Sequence, residues 1–169
     1  QALHKKYPDA RFAYIGTRRG LEAQIIPQHP WITFRPIQAA GWASGSWTRR
    51  IASLAKLLIG MLQTAWFFTC FRPRLVIGVG GYASFAPVLT AALLGRVLPI
   101  RTAIHEQNVL AGRANRWLSR FVDLVMLSFP QTRRSVPSAK RTVVTGNPIR
   151  EEFLHVERTD DAYRSFGLD

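Results

Sequence analysis

The segment 75–87 constrains the fold of this chain more than any other part of the sequence. An apolar run, Leu75–Val79, leads into a turn rich in glycine, and Ser84 and Pro87 follow. Ser is a preferred N-cap residue of helices, and Pro is favoured in a first helical turn. This order predicts a buried strand, a tight turn and a helix, which together form the repeating unit of a parallel sheet.

The rest of the sequence repeats this alternation of short β-rich runs and helical stretches. The predicted strands are Arg11–Gly16, Trp31–Ile37, Leu75–Val79, Arg101–His105, Leu124–Ser128 and Thr142–Thr145. The predicted helices are Leu21–Ile26, Arg49–Phe71, Pro87–Leu94, Ala111–Phe121 and Glu151–Leu154. We therefore expect an α/β protein with an open parallel sheet, helices on both of its faces, and a ligand beyond the carboxyl ends of the strands.

Composition narrows the class of protein further. The 169 residues suffice for about one domain. A hydrophobic fraction of 47% with 20% charged residues excludes a disordered, collagenous or coiled-coil chain. The single cysteine, Cys70, excludes a disulfide framework and a cysteine-based zinc site.

Positive charge is concentrated in residues 1–150, which hold 21 Lys and Arg against 4 Asp and Glu. Residues 151–169 hold 2 basic and 6 acidic side chains, and the whole chain carries a net charge of +13. The surplus favours an anionic partner, such as nucleic acid, acidic lipid or a phosphate-bearing substrate. The change in composition predicts a domain edge near Arg150, followed by a linker.

The stretch Ile51–Phe71 is nearly all apolar and long enough to span a bilayer. Arginines flank it on both sides, so the positive-inside asymmetry of spanning helices is absent. Its polar residues form one narrow stripe at helical spacing: Ser53, Lys56, Gly60, Gln63 and Thr64. A spanning helix and a plain core helix remain alternatives, but the pattern favours one face on the sheet and another on a membrane surface.

A second stretch, Ala111–Phe121, carries three arginines beside a tryptophan on one helical face. Arg beside Trp suits an anionic headgroup layer, although such a stripe alone is more typical of a solvated basic face. The predicted membrane contacts are Trp66, Phe67, Arg113, Arg116, Trp117 and Arg120.

The glycine-rich segment 78–84 is the strongest candidate binding site. Glycine lets the backbone approach a ligand closely, and unpaired N–H groups at a helix start attract phosphate or diphosphate. A tight turn that only packs the helix on the strand is the alternative.

The same segment also fits the dinucleotide fingerprint G-x-G-x-x-A through Gly78, Gly80 and Ala83. Glu106 lies close to where a ribose-binding acid belongs. A NAD-dependent protein is therefore an alternative, although the bulk of Tyr82 and the position in a middle strand speak against it.

Two further predicted strands end in polar residues. His105 and Glu106 can do general acid–base work, and the amides of Gln107 and Asn108 can bind sugar hydroxyls or phosphate. Since His105 and Glu106 point to opposite faces of a strand, we expect no metal site. After the last strand, Arg150 can hold a diphosphate through two hydrogen bonds. A merely structural role remains the alternative for these groups.

Together these motifs resemble the amino-terminal domain of the MurG family, which transfers N-acetylglucosamine from UDP-N-acetylglucosamine to lipid I in peptidoglycan synthesis. The pieces follow the family order and cover most of residues 10–154. They are Tyr14–Thr17 with Leu21-Glu22, Gly78–Ser84, His105–Asn108, Ala111–Leu118 and Thr145–Arg150.

The resemblance implies a GT-B enzyme, with two Rossmann-like domains facing a cleft, that inverts the anomeric carbon and uses no metal or other cofactor. The residues matching the family's cradle for the acceptor diphosphate are Gly80, Gly81, Tyr82 and Ser84. Asn108 and Arg150 match contacts of the UDP-sugar, and His105 and Glu106 are weak catalytic candidates.

The resemblance also implies how the protein is organised and where it works. The apolar and Arg-rich helices match a patch that docks on the anionic cytoplasmic face of the bacterial plasma membrane, as in a peripheral protein with no nucleic-acid partner. Residues 1–154 match the acceptor domain without its first strand and first glycine-rich loop, which carries the proposed general-base histidine. Residues 155–169 match the start of a linker to a carboxy-terminal donor domain.

We expect such a chain to have no transferase activity alone. Two alternatives to the transferase remain: a NAD-dependent Rossmann protein, and a basic module that binds a membrane surface or nucleic acid.

Overall fold

A computed structural model describes residues 2–39 and 46–149 of the chain. The strands are β1 Phe12–Gly16, β2 Ile32–Pro36, β3 Leu75–Gly78, β4 Arg101–Glu106, β5 Leu124–Leu127 and β6 Thr142–Val144. The helices are α1 Ala2–Lys6, α2 Glu22–Ile25, α3 Trp47–Phe71, α4 Gly81–Leu94 and α5 Arg113–Leu118, with 3-10 turns at Ile26–Gln28 and Pro130–Ser135. All six predicted strands are confirmed within a residue or two. The expected helix Glu151–Leu154 and Arg150 lie outside the described residues.

The strands form two parallel sheets rather than the single sheet that the sequence predicts. β1 pairs with β2, while β3, β4, β5 and β6 pair in that order, and every pair is parallel. Ile15 of β1 packs instead on a cluster of Phe68, Ala91 and Ile100. Within the described residues, side chains of α3 and α4 therefore join the two sheets where a backbone ladder was expected. The α/β class with helices on both sides is confirmed.

β4 lies at the centre of the core. All of its residues after Arg101 are buried, because β3 and β5 flank it and α4 and α5 pack against it. Val88 of α4, Ile104 of β4 and Leu118 of α5 belong to one buried cluster. Continuous burial is typical of a central parallel strand. The carboxyl ends of β3 and β4 consequently lie side by side, with Gly78 opposite Ile104.

α4 begins earlier than the sequence predicts. Ser84 is expected as its N-cap, but the helix starts at Gly81 with Gly80 as the N-cap. The φ of +93° and ψ of −178° at Gly80 lie in a region that is essentially restricted to glycine, and they turn the backbone straight from β3 into the helix. The Ser84 hydroxyl instead donates back to the Gly80 carbonyl at 2.8 Å, and Pro87 falls inside the helix.

α3 packs Gly60 and Thr64 of its small and polar stripe, together with Phe68, against the domain. Gly60 and Thr64 are buried, and the Thr64 hydroxyl donates to the Gly60 carbonyl at 2.7 Å. A Cβ at Gly60 would collide with the carbonyl oxygen of Gln38 and would lie 3.5 Å from the Cβ of Ala86. The close approach of α3 to the backbone of Gln38, just after β2, therefore requires a glycine at this position.

The opposite face of α3 is apolar and exposed. Its side chains recur at helical spacing, and Leu62 and Trp66 are 71% and 68% exposed. We call this surface the apolar face of α3; its residues are Trp47, Ile51, Leu54, Leu58, Leu62 and Trp66. By length and composition α3 could cross a membrane, with a mean hydropathy of 1.5 over its window, but only 17% of that window is buried in the fold. Within residues 2–39 and 46–149, the inner face packs on the domain and the outer face is exposed.

Phe67 does not belong to this apolar face. It is half-buried and stacks on Phe71 with ring centroids 5.1 Å apart, and the Arg35 guanidinium lies 5.8 Å from its ring centre. Its side chain packs toward β2 and the core, and the expectation that Phe67 contacts a membrane stays a prediction.

Candidate functional site

The turn between β3 and α4 is open on one side. Gly80 and Gly81 both have positive φ, and a Cβ at Gly81 would meet nothing within 4 Å. A Cβ at Gly80 would meet only the side chains of Asn115 and Gln107, at 3.6 and 3.7 Å. The first N–H groups of α4 have no partner within the helix. The turn can therefore receive the oxygens of a phosphate or diphosphate.

Glu106 is the buried centre beneath this turn. Its side chain lies at the end of β4 and its residue is 1% exposed. One carboxylate oxygen accepts from the backbone and side-chain N–H groups of Asn108, at 3.0 and 2.9 Å. The other accepts from the backbone of Gly112 at 3.0 Å and from Asn115 at 2.9 Å. The carboxylate thus fixes the loop after β4 and the start of α5.

The same hydrogen bonds decide the charge of Glu106. Burial by itself would raise the pKa of this carboxyl, but the donors on Asn108, Asn115 and Gly112 outweigh burial and hold the pKa below its ordinary value. An ionised, saturated carboxylate is a poor general base, and neither oxygen is free for a ribose hydroxyl. This geometry disfavours the NAD-binding alternative and gives Glu106 a positioning role.

Asn115 is a residue that the sequence reasoning missed. It is 3% exposed, and its amide N–H group donates both to the His105 carbonyl at 3.2 Å and to Glu106. Its side-chain oxygen has no hydrogen-bond partner among the described residues. The signal that could have found it is a polar Asn at an inward position of the predicted helix Ala111–Phe121.

Two further contacts tie neighbouring loops to the turn. The Gln107 amide donates to the Val79 carbonyl at 2.9 Å, which links the loop after β4 to the glycine turn. His105 is buried, and its Nε2 lies 3.0 Å from the Gly146 carbonyl. The structure therefore brings the glycine turn, Asn108 and the segment 145–149 together at one end of the larger sheet. His105 and Glu106 lie beneath this surface rather than on it.

Two of the predicted membrane residues, Arg113 and Trp117 of α5, lie along a groove that α3 also borders. Trp117 packs on Phe85 and Phe121 with ring centroids 5.3 and 4.7 Å apart, and it is 40% exposed. Trp117 and Arg113 share the groove with Leu54 of α3. Arg113, Arg116 and Arg120 are exposed. The basic helix and the apolar face of α3 are therefore parts of one surface.

No group of three or more His, Cys, Asp or Glu side chains in residues 2–39 and 46–149 could hold a metal ion. The expectation that the reaction needs no metal stays a prediction.

Comparison with known proteins identifies the family. The model of the glycosyltransferase family 28 N-terminal domain matches residues 1–127. The chain belongs to this family.

Two relatives of this family 28 domain share the same enzyme name. A protein from Desulforudis audaxviator, 36% identical over 168 residues, is named "UDP-N-acetylglucosamine--N-acetylmuramyl-(pentapeptide) pyrophosphoryl-undecaprenol N-acetylglucosamine transferase", and one from Geotalea uraniireducens, 43% identical over 141 residues, has the same name. The matches cover 99% and 83% of this chain but 43% and 37% of those proteins. The chain thus spans less than half the length of these relatives.

A solved structure agrees with this family 28 assignment. The crystal structure of Acinetobacter baumannii MurG superposes with a TM-score of 0.65 at 27% sequence identity, covering 89% of this chain and 40% of that one. The resemblance to the MurG family noted from the motifs is confirmed. The roles of individual site residues stay predictions.

Proposed function

We propose that this chain is the acceptor-binding domain of an inverting glycosyltransferase. The enzyme would transfer N-acetylglucosamine from UDP-N-acetylglucosamine to a muramyl-pentapeptide joined by a diphosphate to a polyprenol. The observation that carries the proposal is the open glycine turn at the start of α4, which offers backbone N–H groups to an anion. The reaction named for the relatives has a diphosphate in its acceptor, and that chemistry fits the turn.

The proposed roles follow from position. The N–H groups around Gly80, Gly81, Tyr82 and Ser84 would bind the diphosphate, while Asn108, held by Glu106, would contact the UDP-sugar. Arg150 would do the same; it lies outside the described residues. In the transfer, the C4 hydroxyl of the muramyl sugar attacks the anomeric carbon, UDP leaves, and a base takes the hydroxyl proton.

The remaining parts of the machinery are assigned beyond this chain. Residues 1–154 would form the acceptor domain, and residues 155–169 would begin a linker to a donor domain. Because the chain spans less than half the length of its relatives, the base and most of the donor site would come from other parts of the protein. The domain alone would bind the acceptor without transferring the sugar.

The exposed surface supports a membrane partner for this domain. The apolar face of α3 and the arginines of α5 lie side by side, which is the combination that an anionic lipid surface binds. We infer a peripheral protein on the cytoplasmic face of the bacterial plasma membrane, where a polyprenyl acceptor is embedded. The excess of positive charge would then bind anionic lipid rather than nucleic acid.

The test compares two glycine substitutions in a full-length enzyme that carries this domain. Gly81 and Gly146 have φ of +76° and +72°, and neither has an atom within 4 Å of an added Cβ. Gly81→Ala and Gly146→Ala therefore carry similar backbone strain. The expected result is that Gly81→Ala weakens binding of a short-chain acceptor analogue in detergent about tenfold, as one or two lost charge-assisted hydrogen bonds would.

Gly146→Ala should leave that binding unchanged. Equal losses in the two variants would count against a diphosphate site in the turn. Tight NADH binding by the same enzyme would favour the dinucleotide alternative.

A further inference from the structure

A groove runs between α3, α4 and α5, beside the glycine turn. Its volume is about 530 Å³, within the range of pockets that hold drug-sized ligands. Phe85 and Leu89 of α4 form its floor, Leu54 and Leu57 of α3 form one wall, and Trp117 of α5 forms the other. We call this feature the interhelical groove.

The lining chemistry of the interhelical groove selects an apolar occupant. Its side chains are aliphatic or aromatic over most of the length, with Ser53, Tyr82 and Arg113 as the exceptions. Such a surface has no set of hydrogen-bond groups with which to bind a sugar or a peptide. Burial of hydrocarbon is the favourable interaction that it offers.

The position of Tyr82 connects the groove to the glycine turn. Tyr82 is the second residue of α4, directly after the open Gly81, and its half-exposed ring lines the groove. Arg113, also at the groove, begins α5 and adds a positive charge on the same side. A ligand with an anion at the turn and a hydrocarbon chain attached to that anion would therefore reach both the turn and the groove.

We propose that the interhelical groove binds the first isoprene units of the acceptor's polyprenyl chain. This inference rests on the proposed function, since it takes the diphosphate to lie at the glycine turn. The groove draws the chain out of the lipid phase next to the headgroup and fixes the direction in which the muramyl sugar enters the site. It acts as a subsite for the lipid part of the substrate and shares only Leu54 with the apolar face of α3, which contacts the bilayer itself.

The position of the groove beside the glycine turn favours the acceptor's own polyprenyl chain over the acyl chain of a bulk phospholipid. In a phospholipid, glycerol separates the phosphate from the acyl chains, whereas a polyprenyl diphosphate bonds its anion directly to the first isoprene unit. A polyprenyl diphosphate satisfies both the anion site and the groove, and it joins them covalently. The occupant that uses all of the observed features is the acceptor.

The kinetic test uses two leucines of α3 that are equally exposed, one of which lines the groove and one of which does not. Leu54 and Leu58 are 52% and 53% exposed, lie one helical turn apart, and only Leu54 lines the groove. In a full-length enzyme in detergent micelles, KM is measured for two acceptor analogues with the same headgroup, one with a long polyprenyl chain and a short-chain one with only a methyl group in its place. We expect Leu54→Gln to raise the KM for the long-chain analogue roughly tenfold and to leave that of the short-chain analogue nearly unchanged.

Leu58→Gln should keep the ratio of the two KM values at that of the wild type. An equal effect of the two substitutions on this ratio would overturn the groove proposal while leaving the proposed function intact. If neither analogue accepts sugar in the wild type, the proposed function itself fails, and the two failures are thereby distinguished.

A binding test identifies the occupant directly. A polyprenyl diphosphate with a photoreactive group on its first isoprene unit should label Leu57, Leu89 or Trp117, and excess unlabelled acceptor analogue should suppress the labelling. A phospholipid with the same group in its acyl chain should label the apolar face of α3 instead. Equal labelling of the groove by the phospholipid, or no labelling of the groove by the diphosphate, would overturn the proposal.

Discussion

At the scale of single residues, the candidate site depends on one buried carboxylate. Glu106 receives four N–H donors from Asn108, Gly112 and Asn115, which lie on two different elements of the fold. A buried acceptor that loses its donors, or donors that lose their acceptor, leave unpaired polar groups. Removing the charge at Glu106 should therefore disturb the loop and the helix together.

We predict that Glu106→Gln lowers the free energy of unfolding by about 2 kcal/mol at pH 7. The substitution replaces one carboxylate oxygen by an amide NH₂ group, which cannot accept the hydrogen bonds that this oxygen accepted. The lowered pKa of Glu106 sets the pH dependence. Its stabilisation is present above the unfolded pKa of about 4.3 and is lost as the pH falls through the folded value. Urea unfolding from pH 7 to pH 3 should show the difference between wild type and variant shrinking in acid.

Glu22→Gln is the control for this prediction. Glu22 also has a lowered pKa, chiefly through a hydrogen bond from the backbone of Thr17, but its donors are confined to Thr17 and its own backbone, so it links no second element. A smaller loss of stability than for Glu106→Gln is expected. A loss as large at Glu22 would contradict the central role of Glu106.

At the scale of elements, α3 shows what periodicity can predict and what it cannot. The sequence indicates a polar stripe on an apolar helix, but hydrophobic patterning alone would turn that stripe to solvent. The structure turns Gly60 and Thr64 inward, because Gly60 allows the backbone of α3 to approach Gln38 and Ala86. Such an approach depends on tertiary contacts between distant residues, which no single helical window contains.

We predict that Gly60→Ala destabilises the domain, although Ala is the better helix former by about 1 kcal/mol. The added Cβ collides with the Gln38 carbonyl, a backbone atom that cannot rotate away, and overpacking costs about 1–3 kcal/mol. The net loss, up to about 2 kcal/mol, is measured by thermal unfolding. Ala55→Gly, at an exposed position of the same helix, calibrates the propensity effect alone. A more stable Gly60→Ala variant would show that the close approach is absent.

The start of α4 is also only partly predictable from the sequence. The strand, the glycine turn and the helix could be predicted from residues 75–87, as could the site at their junction. The N-cap could not, because Ser84 and Gly80 are both acceptable cap residues and the positive φ of Gly80 decides between them. α4 consequently starts at Gly81, directly after the residue with the positive φ.

At the scale of the whole molecule, the sequence predicts the class and the strand set but not the division into two sheets. Each strand has a local signal, whereas pairing between β1 and the strands after α3 depends on groups far apart in the chain. Likewise Asn115 and Glu106 meet only in the fold, so their partnership has no local signature. The apolar face of α3 and the arginines of α5 each have a local pattern, and the fold brings them together on one surface.

This joint surface leads to a prediction about membranes. Leu62→Ser with Trp66→Ser should lower partitioning into anionic vesicles at least tenfold, since each side chain can bury up to about 1.5–3 kcal/mol of apolar surface. Arg113→Gln with Arg116→Gln should weaken the same binding by about 1 kcal/mol per charge and reduce its salt dependence. Val97→Ser, at an apolar residue 81% exposed outside this surface, should change neither. Vesicle sedimentation at several salt concentrations measures all three. Binding to DNA as strong as to vesicles, and unaffected by the α3 variant, would instead indicate a basic module whose partner is any polyanion.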